Sequence, residues 1–343
     1  MKVGLLTGGG DCPGLNAVIR AVVQRVSNEG GQCVGILEGW KGLLRNLSTD
    51  LDVRLTDDVV GRGGTILGSS RTNPYKNPDS DIPALIDHFQ SLGLDALIAI
   101  GGDDTLGVAY RLYKDFRLPL VGIPKTIDND LLVTDFTFGH DTAINIVTEA
   151  VDRLRTTTES HRRIMVVETM GRNSGWIACF AGIAVAADYI LVPEVPINLD
   201  HLVEVLKRRR SAGKCYGIVL VSEGAEFPEG GAVTYDSSRD PFGNARLGGI
   251  ASVLAQQIER RTGFETRYVN LGHLQRGGPP TAYDRVLATR LGLAASRLVI
   301  RREFGTLVAL EGNEIVTKPL DENVSATRTL DLRFYDEAAI FFR

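Results

Sequence analysis

A repeated alternation constrains this fold more than any other feature of the chain. Short apolar runs, each bounded by glycine or proline, are followed by apolar residues at helical spacing. The runs at 3–6, 34–37, 96–100 and 118–123 are apolar on both faces, the signature of buried parallel strands. Between them Leu15, Val18, Ile19, Val22, Val23 and Val26 recur at helical intervals. A second helix carries Ala143, Ile146, Val147, Ala150, Val151 and Leu154 on one face. The alternation continues with strands at 164–167, 218–221 and 268–271, and helices near 175–187, 199–210, 247–262 and 281–302. The predicted class is α/β, with mainly parallel sheets and helices on both faces. At 343 residues the chain exceeds what one core usually supports, so two packed lobes are expected. The polar stretch 229–244 is predicted to be a long surface excursion.

Composition narrows the function. A net charge of −4 argues against non-specific nucleic-acid binding, which rests on clustered cations. The one basic run, Lys207 to Arg210, reads as the last turn of a helix, where cations suit the macrodipole. Cys12, Cys33, Cys179 and Cys215 are scattered without metal-ligand spacing, which points to a reduced, cytoplasmic setting. The N-terminus runs directly into a glycine motif, so no signal peptide is expected. The most apolar stretch, 176–187, is too short to span a bilayer, so no membrane partner is expected.

In open α/β sheets ligands sit beyond the carboxyl ends of strands, so the residues directly after each strand carry the information. After the first strand comes TGGGDCPGLN (7–16), opening a helix. Its glycines either let backbone N–H groups approach a phosphate or serve a purely structural turn. The segment 61–71 ends in Arg71, either a phosphate clamp or a solvated side chain. Gly101-Gly102-Asp103-Asp104-Thr105 offers hard oxygen ligands of the kind Mg²⁺ takes, or an aspartate N-cap. Pro124-Lys125-Thr126-Ile127-Asp128-Asn129-Asp130 places two carboxylates, a cation and a hydroxyl after a buried strand. That is poor structural design and good catalytic design. Arg163, Met170, Gly171, Arg172, Glu223, Arg267, His273 and Arg276 complete the set by a shared placement at strand ends. The arginines and His273 are candidate anion binders, and Glu223 a candidate acceptor for sugar hydroxyls.

In order, and over nearly the whole chain, the motifs TGGGDCPGLN, GGTILGSSR, GGDDT, PKTIDND, SHRRI, VETMGR, SEG and ETRYVNLGHLQRGG resemble the phosphofructokinase family. The resemblance implies two Rossmann-like lobes with the active site in the cleft between them. One lobe, 1–139 plus about 275–325, would hold the phosphoryl donor, and the other, about 140–274 plus 326–343, the fructose 6-phosphate. The implied reaction is glycolytic, magnesium-dependent phosphoryl transfer to the sugar 1-hydroxyl. On the same footing Asp128 resembles the general base, Asp103 the magnesium-site carboxylate and Asp130 its support. Thr126 and Arg172 resemble the groups that stabilise the transferring phosphoryl. Met170, Gly171, Glu223, His273 and Arg276 match sugar-phosphate positions, and Gly9, Gly10 and Arg71 match the donor site. Arg163 and Arg267 match residues that reach a neighbouring subunit's site, which implies a homodimer or homotetramer.

Two departures bear on the donor. ATP-using members resemble GGDG or GGEG where this chain has Asp104, and commonly have glycine where it has Lys125. An aspartate would fill the space beyond the β-phosphate and oppose the α-phosphate of ATP. Lys125 supplies a cation for a smaller donor. Together they resemble the branch that uses pyrophosphate; the alternative is an ATP-dependent enzyme.

Overall fold

The structure, a computed structural model, describes residues 1–228, 231–239, 243 and 245–342. The chain forms two compact units. Of the described residues, the first comprises Met1–Thr142, Gly243 and Arg276–Thr327; the second comprises 143–228, 231–239, 245–275 and 328–342.

The first unit is built on a seven-stranded sheet. Its strands lie in the order Glu314–Pro319, Thr306–Glu311, Leu120–Pro124, Ala96–Gly101, Lys2–Thr7, Gln32–Ile36 and Ser48–Leu51. The outermost pair at each edge is antiparallel and every pairing between is parallel. Burial explains the order. All six residues of Ala96–Gly101 and all five of Leu120–Pro124 are buried, and strands without a polar face belong in the middle. Ser48–Leu51 exposes polar residues and sits at an edge. Register then sets up the site. Thr7 pairs with Ile100 and Gly101 with Pro124, so three central strands end nearly level and the loops after them stand side by side.

The second unit has a four-stranded parallel sheet, ordered Thr266–Asn270, Ile164–Thr169, Gly217–Ser222 and Tyr189–Leu191. The two middle strands are buried throughout. Thr266–Asn270 starts two residues before the predicted run because it is an edge strand. Arg267 and Tyr268 face water there, so apolar content does not mark its start. The chain is thus α/β with mainly parallel sheets. The predicted helices appear as Trp176–Ala184, Leu199–Ser211, Ile250–Thr262 and Ala282–Ile300. The basic run ends Leu199–Ser211, where Arg209 and Lys214, the latter at 2.7 Å, pair with the buried Asp188. Within the predicted excursion, positions 229, 230, 240–242 and 244 lie outside the described residues. Gly231–Ala232 pairs antiparallel with Glu226–Phe227, and Thr234–Arg239 with Ala245–Leu247. Among the described residues no helix is long and apolar enough to cross a membrane.

Helix Ala282–Ile300 packs tightly on helix Leu15–Asn28. A Cβ on Gly292 would stand 2.9 Å from both Ala21 Cβ and the Val18 carbonyl, so only glycine permits this approach. Near its start, buried Asp284 accepts hydrogen bonds from the Thr142 N–H at 2.8 Å and the Thr142 hydroxyl at 2.5 Å. Burial pushes this carboxyl from 3.8 up to about 6, with the Thr142 hydrogen bonds pulling the other way. A folded value above the unfolded one favours folding fully below about pH 4, and that contribution is lost as pH rises through about 6. Between pH 4.5 and 7.5, Asp284→Asn is therefore expected to lose less stability than the unmodified chain, by about 2 kcal/mol. Denaturant titrations at both pH values check this; equal losses in the two proteins would contradict it.

Candidate active site

In the first unit the glycine loop is fitted to its neighbours atom by atom. The Gly8 N–H donates to the Ile100 carbonyl at 2.9 Å, and the Gly9 N–H to the Ser70 carbonyl at 3.1 Å. Cβ atoms on Gly8 and Gly101 would strike the Thr105 side chain at 2.5 and 2.3 Å, so these glycines let helix Asp103–Phe116 start against the sheet. Gly9 has φ 76°, a conformation that favours glycine. Asn16, the last residue of the motif, donates to the Arg62 carbonyl at 3.1 Å and accepts from the Ile66 N–H at 2.8 Å. It thereby ties the segment leading to exposed Arg71 onto the same loop.

Two cations converge on this loop. Lys125 is 3% exposed, and its Nζ donates to the Gly10 carbonyl at 2.5 Å. The Arg276 Nη1 donates to the Asp11 carbonyl at 3.1 Å. A Cβ on Gly10 would stand 2.5 Å from that same nitrogen, so glycine makes room for the guanidinium. Burial and the Arg276 charge push Lys125 below the ordinary lysine range, while Asp11 and Asp103 pull it back. A site that destabilises its own cation favours an anion beside it.

The carboxylates stand on adjoining loops. Asp103 and Asp104 open helix Asp103–Phe116, whose N-cap is Gly102. Neither is the cap, so the structural alternative for this motif does not apply. Both suit the positive end of the helix dipole. Asp103 is exposed and Asp104 half-buried. The Lys125 N–H donates to the Gly101 carbonyl at 2.9 Å, joining this loop to the next. There Asp130 is pushed up to about 7, first by burial and then by the charges of Asp128 and Asp103, with a Thr126 hydrogen bond opposing. The three carboxylates therefore share one electrostatic neighbourhood.

The backbone of this catalytic candidate is held by residues that the sequence did not single out. Thr137 donates its hydroxyl to the Thr126 carbonyl at 2.7 Å and its N–H to Asn129 Oδ1 at 3.0 Å. His140 Nδ1 lies 2.6 Å from the Ile127 carbonyl. Asn129, with φ 54°, turns the chain between the two aspartates.

The second unit gathers Met170, Gly171, Arg172 and Glu223 at the carboxyl ends of its middle strands. The Glu223 N–H donates to the Thr169 carbonyl at 2.9 Å, and the Gly224 N–H to the Gly171 carbonyl at 3.2 Å. Gly171 has φ 126°, and a Cβ on Gly224 would lie 1.9 Å from the Arg172 carbonyl, so both glycines are required. Fully buried Gln275 accepts from the Met170 N–H at 3.2 Å, which ties the turn bearing exposed His273 to this end.

Arg163 and Arg267 are elsewhere. Both pair with Glu265, at 2.9 and 2.7 Å. Arg163 precedes strand Ile164–Thr169 and Arg267 lies at the start of its parallel neighbour, so the predicted placement at carboxyl ends is corrected for these two. A strand of six residues separates Arg163 from Met170 by about 20 Å.

Glu168 was also not foreseen. Its buried carboxylate accepts from the N–H groups of Gly249 and Ala251, each at 3.0 Å, and from Asn270 Nδ2 at 2.6 Å. It thus caps helix Ile250–Thr262 and holds an edge strand. Its partners lie 81 to 102 positions away in sequence, beyond any local pattern.

An α/β sheet whose strand ends present a glycine loop, two cations and a cluster of carboxylates has the equipment of a phosphoryl-transfer protein. The phosphofructokinase family model matches residues 2–299, and the chain belongs to that family. A pyrophosphate–fructose 6-phosphate 1-phosphotransferase of Amycolatopsis methanolica is 54% identical over the full length of both chains. An ATP-dependent 6-phosphofructokinase of Streptomyces coelicolor is 50% identical over 98% of this chain and 99% of its own. Among solved structures, phosphofructokinase from Saccharomyces cerevisiae superposes with a TM-score of 0.81 at 33% identity. That match covers 94% of this chain and 45% of the yeast chain.

Glu168→Ala is expected to destabilise the second unit by about 2 kcal/mol, because it strands the buried Ala251 N–H and two part-buried donors. Thermal or denaturant unfolding reads this, and a loss below about 1 kcal/mol would contradict the capping role.

Proposed function

We propose that this protein transfers a phosphoryl group from pyrophosphate to the 1-hydroxyl of fructose 6-phosphate, giving fructose 1,6-bisphosphate and phosphate. The observation that carries the donor assignment is Lys125, whose ammonium lies on the Gly10 carbonyl and whose backbone N–H donates to the Gly101 carbonyl, just before the helix turn that bears Asp104. The cation suits the terminal phosphate of a short donor. The aspartate occupies space and adds negative charge where a nucleotide's α-phosphate would lie.

Asp128 takes the proton of the 1-hydroxyl as its oxygen attacks the nearer phosphorus. A new O–P bond forms, the bridging P–O bond breaks, and inorganic phosphate leaves. The Thr126 hydroxyl and the Arg172 guanidinium stabilise the equatorial oxygens, where charge spreads in the transition state. The backbone of Gly9 and Gly10, with Arg71 and Lys125, holds the donor. Met170, Gly171, Glu223, His273 and Arg276 hold the sugar phosphate. The first unit is accordingly the donor lobe and the second the sugar-phosphate lobe.

The donor set fits magnesium. Among the described residues no three metal-ligating side chains cluster tightly enough to hold an ion alone. Mg²⁺ commonly takes one or two carboxylates and completes its shell with water and phosphate oxygens. Asp103 would hold it with Asp130 in support, and the ion would neutralise charge on the reacting phosphates.

Arg163, about 20 Å from the Met170 end of its sheet, and Arg267, level with Met165 on the neighbouring strand, serve the sugar-phosphate site of a neighbouring copy in a homodimer or homotetramer. The four cysteines are free thiols, in keeping with a cytoplasmic, glycolytic enzyme.

Phosphorylation of fructose 6-phosphate with magnesium pyrophosphate and with magnesium ATP tests the donor. Turnover is expected with pyrophosphate and at least about 100-fold less with ATP, the discrimination that an opposed charge supplies. Activity with ATP alone would select the other reading, which the Streptomyces relative named ATP-dependent keeps in view. Asp104→Gly combined with Lys125→Gly is expected to bring ATP use above detection. A double variant that still uses only pyrophosphate would refute the steric and charge account. Asp128→Asn is expected to lower kcat by about 10²- to 10⁴-fold.

A further inference from the structure

The loop that carries Asp128 depends on a junction outside it. Thr126, Ile127 and Asn129 are all held by residues 137–140 through the contacts of Thr137 and His140. That segment leads directly into helix His140–Ser160, so the first turn of the helix sets where the loop lies. The first turn is fixed in turn by the start of helix Ala282–Ile300. Asp284 Oδ2 accepts both Thr142 donors. The Thr142 hydroxyl oxygen accepts from the Thr281 N–H at 3.1 Å, and the Thr281 hydroxyl donates to Asp141 Oδ2 at 2.6 Å. Each helix start therefore supplies a carboxylate to the other. Thr281 is also the N-cap of its own helix, five residues beyond Arg276, whose guanidinium lies on the glycine loop.

We propose that Asp284 is a positioning residue for phosphoryl transfer: its carboxylate locks the first turn of helix His140–Ser160, and through His140 and Thr137 it sets the backbone that aims Asp128. The inference rests on the assignment of Asp128 as the base. Asp284 is fully buried, its Oδ2 accepts both Thr142 donors, and among the described residues no arginine or lysine pairs with it. A buried carboxylate with no cation beside it is held in place by its hydrogen bonds alone. Those bonds do the positioning.

The test combines turnover with the number of fructose 6-phosphate sites per chain, measured by calorimetry. Loss of folded protein lowers both together, whereas loss of aim lowers only turnover. Asp284→Ala is expected to lower kcat about 100-fold, with the site number unchanged, because a misplacement of about 1 Å has that effect. Asp284→Asn keeps an oxygen that accepts both Thr142 donors, and its kcat is expected to stay within about fivefold. Thr142→Val keeps the amide donor and loses the hydroxyl, so a fall of about tenfold is expected. If Asp284→Ala does not fold, the other two variants decide. An unchanged kcat in Thr142→Val at full site number overturns the proposal, as does an Asn variant no better than Ala. Asp128→Asn is measured alongside. Full turnover in that variant defeats the base assignment, while its inactivity with a fully active Asp284→Ala defeats the positioning role alone.

Discussion

The contact between the Lys125 ammonium and the Gly10 carbonyl holds the first unit's site together. It spans two loops that are 115 residues apart in sequence and adjacent in space. A buried cation whose hydrogen bond goes to a neutral carbonyl is only partly compensated for lost water. The deficit is made worse by Arg276 and eased by Asp11 and Asp103. An anion bound beside Lys125 would stabilise its charged form. A phosphate-rich donor with two or more negative charges would supply that anion.

The geometry behind that contact comes from the sheet. Level strand ends in the first unit bring the glycine loop, the Asp103 turn and the Asp128 loop into line, as the registers of Thr7 with Ile100 and of Gly101 with Pro124 require. The second unit uses the same device on a smaller sheet, with Met170 to Arg172 and Glu223 at the ends of two buried strands. In both, glycines stand where a side chain would meet backbone or a charged group. Gly10 before Arg276 and Gly224 before the Arg172 carbonyl are the clearest cases. The chemistry is thus placed by backbone pairing, and glycine removes whatever would obstruct it.

Much of this was legible in the chain itself, because buried parallel strands are written as apolar runs and the residues after them are read directly. The runs at 96–100 and 118–123 marked the strands that carry Asp103 and Asp128, and the motifs themselves named the family. What could not be read depends on partners far apart in sequence. Glu168 looks like any strand residue until Gly249, Ala251 and Asn270 are brought to it. Thr137, His140 and Asp284 look like ordinary polar residues until two helix starts meet. Arg163 and Arg267 show the opposite failure. Their motifs were plain, but their place at the amino ends of strands, on Glu265, follows from edge-strand register and not from composition. The edge strand Thr266–Asn270 was misplaced by two residues for the same reason, since its exposed polar side chains carry no apolar signal.

The central claim is that the anion held beside Lys125 is pyrophosphate, and the reverse reaction tests it without reference to rates. Fructose 1,6-bisphosphate, inorganic phosphate and magnesium are mixed with the enzyme and followed by phosphorus NMR. The account predicts that the pyrophosphate resonance grows in step with that of fructose 6-phosphate. No pyrophosphate under these conditions, together with formation of ATP when ADP replaces phosphate, would contradict it.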